Sequence, residues 1–172
     1  MLGAWAIFLF NRLIRQRNRL REAWSGIDVQ LKRRHDLIPN LIESVKGYRA
    51  HEQSLFESLA RNRAQAQAAQ GVPNTGSAES VVSQNLRSLF VLAEAYPELK
   101  ADQNFRQLSA NLVETEDQLQ YARRYYNGTV RDFNTMVESF PGLLMARPMG
   151  FQSAEFFEVE TATERKAPEV KL

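Results

Sequence analysis

The feature that most constrains the fold is a pair of long segments in which apolar residues recur at alternating steps of four and three. A repeat of 3.5 residues keeps one stripe of an α-helix facing a partner helix over many turns. The stripe of the first segment comprises Leu20, Trp24, Ile27, Leu31, Ile38, Leu41, Val45, Tyr48, Leu55 and Leu59. The stripe of the second comprises Phe105, Leu108, Leu112, Thr115, Leu119, Ala122, Tyr126, Thr129, Phe133, Met136 and Phe140. This pattern predicts an all-α protein.

The first stripe is broader than a two-stranded coiled coil requires. Leu37, Ile42 and Phe56 lie beside it and widen the apolar face, as in a helix that contacts two neighbours. We therefore predict a helical bundle rather than a two-stranded coiled coil. Three stripe positions are polar, and such residues usually fix the register of packed helices. These positions are Arg34, Glu52 and Asn62.

Turn-forming residues divide the chain. The stretch "QGVPNTGS", residues 70–77, predicts the end of a long first helix, with Ser77 as the N-cap of the next. Pro97 predicts the end of the second helix, and Asp102 is expected to cap the third. Whether Pro97 reverses the chain or only kinks it stays open at this point.

The C-terminal part is less regular. Residues 143–157 carry a patch around Phe151, Phe156 and Phe157, which we expect to fold back as a short helix over the end of the bundle. Residues 161–172 are polar and lack periodicity, which predicts a disordered tail.

The chain begins with the uncharged run "LGAWAIFLF", Leu2 to Phe10. As a helix it would cover roughly 14 Å, about half of a hydrocarbon core. A signal peptide carries its charges before the apolar run, whereas here they follow it. Three interpretations remain: a membrane span whose beginning is missing, an interfacial anchor, or an apolar end packed against a partner.

Basic residues are concentrated directly after this run. Residues 11–35 hold eight basic and two acidic side chains, whereas the rest of the chain is acidic in balance. An arginine close to anionic lipid gains roughly 1 kcal/mol, so these side chains are candidates for contact with a membrane surface. They are Arg12, Arg15, Arg17, Arg19 and Arg21. The positive-inside rule then places the following domain in the cytoplasm. The acidic remainder argues against nucleic-acid binding.

The stretch "RRHDLIPN", residues 33–40, places a proline inside the first helix. Pro39 lacks an N–H and presses on the carbonyl of His35, so the helix is expected to bend there, or to restart with Asp36 as its N-cap. Because the carbonyl of His35 is freed, His35, Asp36 and Pro39 form a candidate docking point for a partner.

The residues that could carry chemistry are few. The chain has two histidines and no cysteine, and neither histidine stands in a Glu-x-x-His or His-Glu-x-x-His pattern, so we expect no metal site and no cofactor. No nucleophile motif or phosphate-binding glycine loop occurs. The one acid–base pair that could support an enzyme is His35 with Asp36. Adjacent helical residues point about 100° apart, which disfavours it.

Three ordered blocks resemble the LemA family of bacterial proteins. They are "AWSGIDVQLKRRHDLIPNLIESVKGYRAHE" (residues 23–52), "LAEAYPELKADQNFRQL" (92–108) and "ETEDQLQYARRYYNGTVRDFNTMVESFPG" (114–142). The resemblance implies a four-helix up-and-down bundle, which favours reversal at Pro97, and a single N-terminal membrane span. In family members that span has roughly twice as many apolar residues as this chain supplies. The family brings no established catalytic residue or cofactor.

Together these features predict a membrane-anchored, non-catalytic helical scaffold or adaptor. We expect residues 1–11 to form a truncated membrane segment, residues 12–160 the bundle and residues 161–172 the tail. The expected location is the bacterial inner membrane, with one span and the bulk of the chain in the cytoplasm. The expected partners are membrane lipid and other membrane or envelope proteins, with a homo-oligomer as a further possibility. An enzyme that uses His35 and Asp36 is the alternative.

Overall fold

A computed structural model describes residues 2–46 and 53–157. Helices account for 87% of these residues and no strand occurs among them, which confirms the predicted all-α class. The helices are α1 (Leu2–Lys46), α2 (Gln53–Ala68), α3 (Val72–Glu94), α4 (Pro97–Ala101), α5 (Gln103–Glu138) and α6 (Gly142–Ala146). Tyr48, Glu52 and the predicted tail lie outside the described residues.

The described chain forms two compact units. Unit 1 contains residues 2–37 and 107–157, and unit 2 contains residues 38–46 and 53–106. Helices α1 and α5 therefore contribute residues to both units. The four-helix bundle over residues 12–160 stays a prediction.

In unit 1, α1 and α5 are antiparallel. Trp24 near the middle of α1 meets Tyr126 edge-on with ring centroids 5.5 Å apart, whereas Arg33, farther along α1, meets Glu114, earlier in α5. Near the start of α1 and the end of α5, the core of unit 1 contains a cluster of buried apolar side chains. Its members are Leu13, Phe133, Val137, Ala146 and Phe151.

The second predicted stripe is largely buried. Phe105 lies in unit 2, and in unit 1 the stripe continues along α5. The fully buried members in unit 1 are Leu112, Thr115, Leu119, Tyr126 and Phe133. The expected place of Phe140 in this stripe is wrong, because α5 ends at Glu138 and Phe140 is 79% exposed. The core instead uses Val130 and Val137, which lie on the same side of the helix.

Unit 2 contains the last turns of α1, the antiparallel pair α2 and α3, α4 and the first turn of α5. Helix α2 packs on α3, and Asn85 of α3 donates a hydrogen bond to the hydroxyl of Ser58 at 3.4 Å. Of the first stripe's described residues in this unit, Leu55 is half-buried and the others are buried. The buried apolar residues from α1, α2 and α3 include Ile38, Leu41, Val45, Leu59, Val82, Leu86 and Leu89.

The helix ends correct one prediction and confirm another. Ser77 is not an N-cap, because α3 already begins at Val72, after Gly71 at φ 82° and with a proline in the first turn. Asp102 does cap α5, since its Oδ1 accepts a hydrogen bond from the N–H of Phe105 at 2.8 Å. Pro97 follows the end of α3 and begins the short helix α4.

Pro39 lies inside α1 without ending it, so the expected restart at Asp36 is wrong. Proline removes one N–H and crowds one carbonyl, but burial of the helix face can offset that cost. The apolar residues on both sides of Pro39, Ile38 and Leu41, are fully buried, and their packing stabilises the continuous helix.

The C-terminal region differs from the predicted arrangement in part. The short helix expected around Phe151, Phe156 and Phe157 is wrong, because the short helix of this region is α6, which ends at Ala146. Gly142 begins α6 where a Cβ would overlap the carbonyl oxygen of Met136. Residues 151–157, here called the C-terminal strap, are not helical. Phe151 and Phe157 are buried, whereas Phe156 is exposed. The phenylalanine patch therefore packs as an irregular segment.

Candidate functional site

The first two turns of α1 carry a patch of exposed apolar side chains. Trp5, Ile7 and Phe8, here called the N-terminal patch, are 44%, 64% and 61% exposed. From Leu9 and Leu13 onward, one face of the same helix is buried in unit 1. The apolar start of α1 thus extends beyond the packed part of the unit. Within the described residues, no helix carries an apolar stretch long enough to cross a bilayer.

The five arginines after this patch do not share one environment. Arg12, Arg15, Arg19 and Arg21 are exposed on α1. Arg17 is half-buried, and its guanidinium lies 5.2 Å from the centre of the Phe151 ring, a distance typical of cation–π attraction. Four arginines are therefore directed to solvent, whereas Arg17 helps to hold the strap.

A shallow groove joins the N-terminal end of α1 to the end of α5. Leu9, Arg12 and Gln16 line it from α1, facing Asp132 and the turn that connects α5 to α6. The remaining lining residues are Thr135, Met136, Ser139, Phe140, Pro141 and Gly142. Basic, acidic and apolar groups meet here at the same end of unit 1 as the N-terminal patch.

Farther along α1, two ion pairs join it to α5. Arg33 pairs with Glu114 at 3.3 Å on the exposed side, and Arg34 pairs with Glu116 at 3.2 Å. The side chain of Arg34 is only 1% exposed, so this guanidinium is part of the core of unit 1. The predicted role of this stripe residue in packing agrees with its burial.

The three predicted docking residues near these ion pairs differ in their exposure to solvent. His35 is buried in unit 1, whereas Asp36 and Pro39 are exposed. The histidine and the aspartate therefore point to different environments and do not form an acid–base pair on one surface. Docking of a partner at these residues stays a prediction. Residues 2–46 and 53–157 also contain no group of three or more His, Asp or Glu that could hold a metal ion.

The strap is held on α5 by two asparagine side chains that bind its backbone. Asn134 donates to the carbonyl of Ala154 at 2.9 Å and accepts from the same residue's N–H at 2.7 Å. Asn127 binds Phe157 in the same way, at 3.1 Å and 2.9 Å. Each amide thus satisfies both polar groups of one backbone residue, as a paired strand would.

Aromatic contacts complete the attachment of the strap. The Phe157 ring lies 6.0 Å from Trp24, and the guanidinium of Arg123 lies 5.0 Å from its centre. The Tyr126 hydroxyl donates to the carbonyl of Glu155 at 3.0 Å. The strap is consequently an integral part of unit 1.

Sequence reasoning missed these two asparagines, although a signal for them exists. Asn127 and Asn134 are seven residues apart and lie on one face of α5, beside the predicted stripe. Polar amides at that spacing, with a phenylalanine-rich segment downstream, are compatible with two side chains that hydrogen-bond the backbone of an extended segment. The sequence does not indicate which segment binds there.

Burial of Tyr126 is expected to make the stability of unit 1 sensitive to alkaline pH. Burial raises the pKa of Tyr126 above its ordinary value of 10.0, and the Glu155 carboxylate raises it further. Because the folded state favours the neutral phenol, this contribution is present below pH 10 and is lost as the pH rises through the raised pKa. Tyr126→Phe should therefore flatten the alkaline decline in the free energy of unfolding, as measured by denaturant titration at several pH values.

Tyr125→Phe is the matched control for this prediction, because the Tyr125 side chain lies on the exposed side of the same helix. It should keep the wild-type pH profile. If Tyr126→Phe and the wild type decline equally above pH 10, the phenol does not carry this pH dependence.

Comparison with known proteins assigns the chain to a family. Residues 23–172 match the LemA family, and the chain belongs to it. The match covers α1 from Ala23 onward, both ion pairs, the two asparagines that bind the strap, and the strap itself. The N-terminal patch and the five arginines precede the matched region.

Named relatives are distant in sequence. "Magnetosome protein MamQ 2" of Paramagnetospirillum magneticum is 24% identical over 164 residues, which cover 80% of this chain and 60% of the relative. "Magnetosome protein MamQ" of Magnetospirillum gryphiswaldense is 22% identical with the same coverage. "Protein LemA" of Metamycoplasma hominis is 25% identical over 150 residues, 86% of this chain and 68% of the relative. The chain thus spans about 60% of the length of these magnetosome relatives.

Proposed function

We propose that this chain is a membrane-tethered, non-catalytic helical adaptor, in which the start of α1 contacts lipid and the helices offer a surface to other proteins. The observation that carries the proposal is the exposed N-terminal patch followed by four exposed arginines. Apolar side chains at a helix end gain free energy by entering a bilayer, and arginines next to them gain from anionic headgroups. The proposed location is the inner membrane, with the domain in the cytoplasm.

A surface suited to protein partners supports the adaptor role. On α5, Tyr121 and Tyr125 are exposed at a spacing of four residues, which places them on one face of the helix, and the exposed Val113 lies about two turns earlier. Arg124 lies over the Tyr121 ring at 4.7 Å. Tyrosine and arginine are enriched in protein interfaces. We propose that this face binds membrane or envelope proteins, or a second copy of the chain.

Flotation with lipid vesicles tests the tether. The full-length wild type should float with vesicles that contain phosphatidylglycerol, whereas the double variant Trp5→Ser, Phe8→Ser should remain at the bottom of the gradient. The matched control is Val113→Ser with Tyr121→Ser, which removes two exposed apolar side chains from α5 and should float like the wild type. Equal flotation of the N-terminal variant and the wild type would contradict the tether.

A further inference from the structure

We infer that the turn between α5 and α6 is a second lipid-contacting element, which enters the headgroup region beside the start of α1. The inference rests on the proposed function, since it assigns a second surface to the same membrane. The surface comprises Phe140, Leu144 and Met149, here called the turn patch. None of these residues belongs to the apolar run at the N-terminus.

The side chains of the turn patch are large and apolar, yet they are exposed to solvent. Phe140 is 79% exposed, Leu144 61% and Met149 53%, although a buried core lies directly below them. Large apolar side chains grouped on one surface of a soluble domain usually mark an interaction site. Their neighbours Gly142 and Ala146 are buried, so α6 is held in place while one of its sides remains uncovered in unit 1.

The position of the turn relative to α1 supports the assignment. Phe140 and Pro141 line the same groove as Leu9 and Arg12 of α1. Below α6, Phe10 packs against Phe151 with ring centroids 6.3 Å apart. The turn therefore lies at the level of residues 9–12, about one helical turn after Phe8. A bilayer that receives the N-terminal patch would place its headgroups at this level.

The charges around the turn patch fit an anionic lipid surface. Arg12 lines the groove, and the exposed Arg15 and Arg147 flank it in sequence on α1 and at the end of α6. The acidic residues nearby are Asp132, which also lines the groove, and Glu138, which accepts a hydrogen bond from Ser153. Basic side chains thus outnumber acidic ones, which suits contact with anionic headgroups.

Continuity with the N-terminal patch favours lipid over a protein partner. The N-terminal patch comes from the first turns of α1, and the turn patch from the turn, α6 and Met149 after it, at the same end of unit 1. A bilayer can contact apolar residues that are dispersed in this way, because contact with lipid does not require a complementary surface shape. A protein that binds only the turn, including a second copy, is the competing outcome in the experiment below.

Single-cysteine labelling tests the inference on the full chain, which has no cysteine of its own. Phe140→Cys, Phe8→Cys and Val29→Cys are each labelled with an environment-sensitive fluorophore and mixed with phosphatidylglycerol-containing vesicles. All three native side chains are exposed, so the substitutions leave the core intact. We expect blue-shifted emission and quenching by lipid-attached quenchers at positions 140 and 8, and neither change at position 29.

The outcomes separate the inference from the proposed function. A membrane signal at position 8 with none at position 140 overturns the turn contact and leaves the tether standing, whereas silence at both positions overturns both. A blue shift at position 140 that grows with protein concentration without vesicles assigns the turn patch to a second copy and also overturns the inference. Without labels, Phe140→Ser with Leu144→Ser should weaken vesicle binding about tenfold. Val29→Ser with Val91→Ser should leave it unchanged, because both valines are exposed and lie in neither patch.

Discussion

Replacing Leu41 with alanine is expected to lower the free energy of unfolding by about 2–5 kcal/mol, because the substitution removes a leucine side chain from a packed core and leaves a cavity. Leu41 lies on the first stripe and is 0% exposed in unit 2. Denaturant titration of the purified chain, followed by the loss of helical circular dichroism, measures the change.

Leu144→Ala is the matched control, since it makes the same chemical change at a leucine that is 61% exposed. Surface substitutions usually alter stability by less than about 0.5 kcal/mol. If both variants lose the same stability, or neither does, the stripe does not form the core of unit 2.

The second large effect is expected at the strap. Asn134→Ala removes both hydrogen bonds to the backbone of Ala154 and leaves a half-buried N–H and carbonyl without their protein partner. We expect a loss of about 1–3 kcal/mol in the stability of unit 1. The direct readout is hydrogen exchange at the Ala154 amide, which should become much faster in the variant.

Asn104→Ala provides the comparison, because Asn104 is an exposed asparagine of α5 outside unit 1. It should change neither stability nor the exchange at Ala154. Unchanged protection of the Ala154 amide in Asn134→Ala would mean that the Asn134 side chain does not hold the strap.

The stripes were the most predictable part of this fold, because a periodic apolar face reports burial directly. Ile27, Leu31 and Leu41 of the first stripe and Leu119 of the second are all buried as the spacing predicts. Phe140 fails because its position continues the 3.5-residue step after the helix has ended. Periodicity indicates which face is apolar, but it does not indicate where a helix stops.

Helix boundaries were predictable where one residue decides them locally. Asp102 caps α5 through its own side chain, and Pro97 begins a helix in a position that needs no N–H. Ser77 and Asp36 fail because each is a plausible cap that competes with another local arrangement. Gly71 starts α3 earlier, and the buried residues around Pro39 keep α1 continuous.

The candidate site could be predicted only in part from the sequence. The N-terminal run and the arginine series stand out by composition, and the structure leaves Trp5, Phe8 and Arg12 exposed. The strap depends on contacts between residues 20–30 positions apart, such as Asn134 with Ala154, and no local pattern specifies them. The turn patch depends on its position beside Leu9 and Arg12, which lie far earlier in the chain. The half-burial of Arg17 follows from the same long-range packing.

The central claim is that the start of α1 enters a membrane, and washing of isolated bacterial membranes tests it most directly. Salt at about 1 M reduces the Debye length to about 3 Å and removes proteins held by charge alone, whereas inserted apolar side chains resist it. The account predicts that the full-length chain stays in the membrane pellet after the wash, and that Trp5→Ser with Phe8→Ser releases it. Recovery of the wild-type chain in the supernatant would contradict the account.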